Sequence, residues 1–444
     1  MTTTVAEHQR ALQDLLGAIR FSAGQSVSDD AQIVSAADAL GRTLAADLRS
    51  DLQVPPADNS QMDGFAYRVQ DLADLADGAC AELPLGPVIA AGMTKQVLQA
   101  GTARPIMTGA AVPAGATAII PVEETEQERF TQQTPPADRI RFTLAPHHRE
   151  SGRFIRTAGS DTARGDVIAR ARQRLTPRLI GHLTSVGHDR IPVHPRLVAI
   201  VVSTGSELGT GTDQVRDANG PALTAALTEL GITVASCLHV QDDPHALLTA
   251  VTSAVAATGA QLIISTGGVS AGAIEPIRQA AELGDPRLRL AFHRVAMQPG
   301  GPQGLGRLTL RADDVRGLGG AGTDTAASAA DAAPGHEAAW VALPGNPVSA
   351  LVSVEMFLRP ALGVPARPRV RLPIRTQTGD AEPSPAGKLQ VRRGRLQSDS
   401  TVRLVGGPGS HLLGALALSD ALVLIPADAT SIADRDIHEV ILLS

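Results

Sequence analysis

Four loop segments of this chain combine carboxylates, hydroxyls, glycines and prolines in ways that suit phosphate, oxyanion or divalent-cation chemistry. In PPADNSQMDGFAYR, residues 55–68, Asp58, Asn59, Ser60 and Asp63 crowd polar groups around a turn, and Gly64 permits a backbone conformation that most residues resist. A plain capped turn would use the same residues. In STGSEL, residues 203–208, the glycine lets backbone N–H groups approach an anion, and the Glu207 carboxylate can hold a hard cation. Just downstream, Asp217-Ala218-Asn219-Gly220-Pro221 supplies acceptors before a helix start, where Asn219 could equally be a helix cap.

The third segment is STGGVSAG, residues 265–272. Thr266, Gly267, Gly268 and Ser270 offer a tight backbone and two hydroxyls, a cradle for a phosphate or similar oxyanion or simply a structural turn. No GK[ST] follows, so it is not a P-loop. Asp242, Asp243 and Glu275 can bring further carboxylates to the same rim. The fourth comprises AMQPGGPQGLG, 296–306, and LPGNPVSA, 343–350, whose Pro-Gly pairs stiffen loops while exposing backbone donors. Stiffness alone would also serve stability.

The elements that must position these loops are legible in the hydrophobic pattern. Leu197–Val202 is a continuous apolar run, followed by the Gly205 turn and a helix from about Pro221 to Leu230. A second cycle runs through Ile232–Val240, a helix from about Pro244 to Thr258, and a strand Gln261–Ser265. Such alternation predicts a mostly parallel sheet covered on both faces, with ligands beyond the carboxyl ends of its strands. Leu12, Leu15, Leu16 and Ile19 predict an opening helix over 6–20. Ser35–Leu48 reads as a second helix, Val54-Pro55-Pro56 as an extended passage, and Ala350–Phe357 as an apolar helix. From 54 to about 145, short apolar runs with Gly and Pro punctuation predict β structure in an inserted unit. Residues 311–338 hold little to bury and read as a surface insertion, so replacing them with a short Gly/Ser turn is expected to leave folding and dimerisation nearly unchanged. The tail carries β-type runs, Ala421–Ile425 and Val440–Leu443.

At 444 residues the chain is long enough for roughly two to four domains. Net charge of −6 offers no general attraction to nucleic acid or anionic membrane. Only Cys80 and Cys237 are present, so no disulfide framework or CxxC metal site is readable, and a reducing cytoplasmic compartment fits. No signal-like or spanning apolar stretch is found, which predicts no membrane insertion.

Taken in order, DNSQMDGFA, IMTGAAVPAGATAII, STGSEL, STGGVSAG, AMQPGGPQGLG and LPGNPVSA resemble the motif series of the molybdopterin molybdenumtransferases, a family that includes the E domain of gephyrin, over roughly residues 50–360. The resemblance implies a multidomain α/β protein: an elongated discontinuous domain, 1–53 with 145–190; an inserted β-rich domain, 54–144; a three-layer α/β molybdopterin-binding-like domain, 191–362; and a small all-β domain, 363–444. It implies a transferase that cleaves the pyrophosphate link of an adenylylated pterin dithiolate, inserts molybdate and releases AMP. A divalent cation, expected to be Mg²⁺, would sit on Asp63, Glu207, Asp243 and Glu275; Asp63 and the catalytic Thr108 would come from the inserted domain, the other carboxylates from the α/β domain. Asn219 and Thr266, Gly267, Gly268 and Ser270 would hold pterin and phosphates. Pro299, Pro302 and Ser349 would border the molybdate pocket, with Arg392 and Ser410 from the C-terminal domain. The family is also dimeric, with sites shared between subunits, so Asp63 and Glu207 are expected to meet across a dimer interface.

The chain departs from the family pattern at several positions. Glu275 stands where Asp is common, Gly301 replaces the lysine of PGKP, Gln298 stands where a basic residue is frequent, and Thr117 where an acid is. Arg294 could replace the missing ammonium. Two other functions share the fold: a gephyrin-like dimeric scaffold that binds a partner peptide, and a pterin-binding carrier without catalysis.

Overall fold

A computed structural model describes residues 2–21, 31–93, 96–127, 138–209, 211–212, 214–269, 275–311 and 336–443. The chain divides into two compact units, one made of 1–26 and 195–444 and the other of 27–194.

The larger unit is built on a seven-stranded sheet. Its elements, in chain order, are β1 (Thr2–Thr3), α1 (Val5–Phe21), β2 (Val198–Thr204), α2 (Asn219–Glu229), β3 (Thr233–Val240), α3 (Pro244–Thr258), β4 (Leu262–Thr266), α4 (Pro276–Glu282), β5 (Leu288–Val295), β6 (Pro302–Leu310), β7 (His336–Leu343) and α5 (Pro347–Ser353). Strand order is β1-β5-β6-β7-β4-β2-β3. The β3-β2-β4-β7 half is parallel, and β6 runs antiparallel to both β5 and β7. The central strands β2 and β4 open on continuous apolar runs, Val198–Val202 and Leu262–Ile264, because both faces are covered. Ala199 and Val201 pack with Leu12, Leu16, Leu223 and Leu227, whereas Ile200 and Val202 pack with Leu247, Val251 and Val255. Alternate side chains of a single strand thus feed two separate cores.

The opening helix was expected to group with residues 145–190. Instead its Leu12 and Leu16 enter the α/β core, and β1 adds in parallel to β5. After α5 the helix loosens into a π turn, Val354–Leu358, and the Gln9 amide donates to the Met356 carbonyl at 2.8 Å. The tail forms a small closed barrel from Arg369–Arg375, Leu389–Leu396, Val402–Leu404, Ala421–Ile425 and Ile437–Leu442, with 389–396 pairing to 421–425 to close it. The short strand Met297–Gln298 pairs with Leu389 and Gln390, tying the Pro-Gly loop to the barrel.

In the smaller unit the described elements between 54 and 144 are strands and short 3₁₀ turns, β-rich as the sequence indicates. Gly64–Tyr67 lies between Arg104–Ile106 and Ala118–Pro121. Gly64 is needed there for closeness rather than for an unusual φ, since a Cβ would stand 2.2 Å from the Ile120 carbonyl oxygen. The helix read over Ser35–Leu48 is not formed. Gln32–Ser35 is a strand, only Ala37–Ala39 makes a 3₁₀ turn, and Leu48–Arg49 is a strand. Ser35 and Asp38 bond to each other at 2.7 Å and close the turn locally, and Gly41 then takes φ +71°, which no helix continues through.

Most of 311–338 lies outside the described residues, but its end does not. His336, Glu337 and Ala338 open β7, pairing with Leu310, Thr309 and Leu308, and Ala338 is fully buried. The boundary read from the sequence therefore runs three residues too far. A Gly/Ser replacement that continues through Ala338 is expected to lower the thermal unfolding midpoint, because it removes three ladder pairs and a core side chain. One that ends at residue 335 isolates the original expectation, and thermal melts of the two variants side by side check the difference.

Candidate functional site

Three loops leave the carboxyl ends of β2, β4 and β7, where a parallel sheet opens its ligand crevice. They are joined through one buried side chain. The Thr266 hydroxyl donates to the Pro344 carbonyl at 3.0 Å and accepts from the Asn219 amide at 3.0 Å, and the same amide donates to the Gly345 carbonyl at 2.6 Å. Thr204 bonds to the Thr266 carbonyl at 3.2 Å. Gly267 and Gly268 take φ +90° and +61°, and a Cβ on Gly267 would meet the Thr204 hydroxyl at 2.5 Å. Gly345 closes over them: a Cβ there would lie 3.3 Å from the Gly267 Cα. Asn219 is thus not the cap of α2. Asp217, passed over in the sequence as a generic acceptor, takes the Asn219 and Gly220 backbone N–H groups at 2.9 and 3.0 Å. Ser270 lies outside the described residues.

The carboxylates have separate local roles. Glu207 is exposed and its carboxylate folds back over Gly205, where a Cβ would stand 2.5 Å from it. Asp242 braces this turn, accepting from the Ser206 N–H at 3.0 Å while its own N–H donates to the Ser206 hydroxyl at 3.2 Å. Asp243 caps α3, its Oδ1 accepting from His245 N and Ala246 N at 2.8 and 3.2 Å. Glu275 directly precedes α4.

The Pro-Gly loop packs against the start of α5. The Gln298–Pro299 bond is cis, and Gly300 takes φ +97° with its Cα side closed by Met297 and Ser353. Pro299 and Ser349 are buried and Pro302 half-buried. At Gly301 a Cβ would meet nothing closer than 3.5 Å, and its neighbours would include the Arg294 Cγ at 3.7 Å. The barrel reaches the same region through Ser410, whose hydroxyl accepts from the Asn346 amide at 2.8 Å. Arg392 is 1% exposed; it donates to Glu382 at 2.6 Å and to the Gly406 carbonyl at 3.3 Å, while its Nε and Nη1 have no protein partner. Asn346 carried no signal in the sequence beyond its place between two prolines.

In the smaller unit, Asp63 and Thr108 come together. Asp63 Oδ1 accepts from both the backbone N–H and the hydroxyl of Thr108, at 2.6 and 2.8 Å. A second cluster there was not foreseen: Glu124, His147 and His148 place three potential metal-ligand atoms within 4.8 Å of one another. The hydrogen bonds oppose a metal. Ala145 N–H donates to His148 Nδ1 at 3.0 Å, so the ring proton sits on Nε2 and is given to Glu124 at 2.8 Å. Arg153 occupies both Glu124 oxygens at 3.0 and 2.8 Å. Chiefly through Arg153, and despite partial burial, the Glu124 carboxyl is held down to about 2.

Comparison with known proteins is consistent along the chain. Residues 3–187 match the MoeA N-terminal region (domain I and II), 200–363 the probable molybdopterin binding domain, and 375–443 the MoeA C-terminal region (domain IV). Molybdopterin molybdenumtransferase 2 of Mycobacterium tuberculosis strain H37Rv is 36% identical over 97% of each chain. Molybdopterin molybdenumtransferase of Synechococcus elongatus is 32% identical over 87% of this chain and 88% of its own. The molybdopterin biosynthesis moeA protein from Pyrococcus horikoshii OT3 shares the fold with a TM-score of 0.74 at 20% identity over the full length of both.

The Glu124 network sets a pH dependence. Its folded-state pKa lies below the ordinary 4.5, so the stabilisation is present above the usual carboxylate range and is lost as pH falls toward about 2. Glu124→Gln is expected to weaken that acid-side loss. Urea titrations of both proteins from about pH 5 downward check it: parallel pH profiles would show that the carboxylate contributes nothing specific.

Proposed function

This chain belongs to the MoeA family of molybdopterin molybdenumtransferases, and we propose that it cleaves adenylylated molybdopterin and inserts molybdate, releasing AMP. Its place is in molybdenum-cofactor biosynthesis, as a transferase. The observation that carries the site assignment is the junction of Asn219, Thr266 and Gly345, which fixes three rigid backbone turns at the mouth of the sheet before any ligand arrives. Preorganised donors need no rearrangement when phosphate charge develops.

In this reading Thr266, Gly267, Gly268, Ser270 and Asn219 hold pterin and phosphates. Pro299, Pro302 and Ser349, with Ser410 and Arg392, border the molybdate pocket. The exposed Glu207 carboxylate and the Asp243 oxygen not used in capping offer hard ligands suited to Mg²⁺, and Glu275 supplies a third. When bound, such a cation neutralises pyrophosphate charge. Asp63, whose Oδ1 is oriented by Thr108, completes the ligand set from a second copy of the chain in a cytoplasmic homodimer. The scaffold and carrier alternatives are not favoured by relatives that carry the enzyme's name over nearly their whole length. The decisive assay is AMP release from adenylylated molybdopterin with molybdate and Mg²⁺. Absence of release with intact nucleotide binding would return the carrier reading.

Two variants test the shared site. Asp63→Ala and Glu207→Ala are each expected to lower the turnover by about two to three orders of magnitude. Reassembled one to one, the two inactive proteins should recover about a quarter of wild-type activity, because half the dimers then carry one intact site. No recovery would place both residues on one subunit's site. Gly301→Lys should lower the molybdate requirement, since position 301 is open enough for a side chain and an ammonium there attracts the oxyanion. The molybdate dependence of AMP release, wild type beside variant, decides it. An unchanged or worse response means that Arg294 already supplies the charge.

A further inference from the structure

Gln303 is fully buried at the beginning of β6, directly after the Pro-Gly loop. Its amide nitrogen donates to the Gly300 carbonyl at 2.9 Å and to the Ser353 hydroxyl at 2.8 Å. A carbonyl only accepts, so the amide cannot be turned over. Ser353 in turn gives its hydrogen to the Ser349 carbonyl at 2.8 Å, leaving a lone pair toward Gln303. The Gln303 amide is therefore a two-armed donor, one hydrogen held by the loop at Gly300 and the other relayed through Ser353 to the Ser349 carbonyl in α5. Gly300 completes the joint, since a Cβ there would stand 2.8 Å from Met297 and 3.1 Å from the Ser353 hydroxyl.

Packing alone does not account for the amide. Gln303 Oε1 is buried without a partner, and a methionine of similar length would fill the space with no orphaned acceptor. What the amide achieves, and methionine cannot, is to bond two loops of the candidate oxyanion pocket to each other.

We propose that Gln303 is a positioning residue for oxyanion capture, fixing the Pro299–Pro302 loop against the Ser349 turn of α5 so that the two walls keep one spacing. The proposal rests on the reading that these loops border the molybdate pocket. The bonds of Gln303 end on Gly300 and Ser353 and do not include Thr266 or Asn219. Its loss should thus affect molybdate and spare the pterin nucleotide.

The experiment uses the full-length protein with Gln303→Met and, as a smaller change that removes one arm, Ser353→Ala. AMP release is followed against molybdate concentration, and adenylylated molybdopterin binding is measured by calorimetry. The molybdate KM should rise roughly tenfold in Gln303→Met and less in Ser353→Ala, with kcat within about twofold and nucleotide affinity unchanged. An unchanged molybdate KM in folded Gln303→Met overturns the proposal, as does an equal loss of nucleotide affinity, which would mark a general structural role. Should Gln303→Met fail to fold, an unchanged KM in Ser353→Ala overturns it equally. If the wild type releases no AMP, the functional reading fails separately. The clamp is then judged by hydrogen exchange at the Gly300, Gly301 and Gln303 amides: faster exchange in the variants supports it, and unchanged exchange overturns it.

Discussion

The Thr266 hydroxyl is a small group on which three loops depend. It sits at the end of β4, 1% exposed, where its one hydrogen and its lone pairs are directed to residues from two other loops. A valine of the same shape would leave the Asn219 amide without one acceptor and the Pro344 carbonyl without its donor, in a place water does not reach. The glycines around it follow from that closeness. With Gly345 lying on Gly267 and Gly267 on Thr204, a Cβ on Gly267 has no room between the turns and one on Gly345 would be tight, so backbone packs against backbone there.

The barrel extends the same construction from the other side. Met297–Gln298 continues its sheet, Leu389 N–H donates to the Ala296 carbonyl at 2.9 Å, and the Gln390 amide reaches Gln298 at 2.9 Å. The Pro-Gly loop is therefore held at one end by the barrel and at the other by β6. The bond from Asn346 to Ser410 adds a second tie between the β7 loop and the tail. Rigid elements on both sides of a short loop are what hold site groups to sub-ångström tolerance.

The sequence was most legible where one force dominated. β2 and β4 were readable because a strand buried on both faces carries a continuous apolar run. It misled where a pattern had two physical causes. Ala36, Ala39 and Leu40 carry helical spacing, yet the Ser35–Asp38 bond and the positive φ of Gly41 give the backbone a different local solution. Asn219, which could have been a plain cap, joins loops instead. The Glu124 network was illegible because its bonds join residues 24 to 29 positions apart through side chains with no shared periodicity.

The missing lysine at position 301 is best weighed through its neighbours. Gly301 has an ordinary φ, and its carbonyl accepts from the Val295 N–H at 2.6 Å, so the backbone is fixed by β5 whichever side chain stands there. Position 301 therefore accepts a side chain without any change of backbone. Arg294 pairs with Pro302 in the β5–β6 ladder, and its Cγ lies within van der Waals reach of a Cβ at 301. A guanidinium anchored one strand away spans a larger distance than a lysine anchored on the loop and presents its donors as a planar fork. Such a fork suits a tetrahedral oxyanion through two hydrogen bonds, whereas an ammonium acts as a point charge. A charge carried by Arg294 would thus be anchored on the sheet rather than on the loop, where backbone pairing holds its Cα.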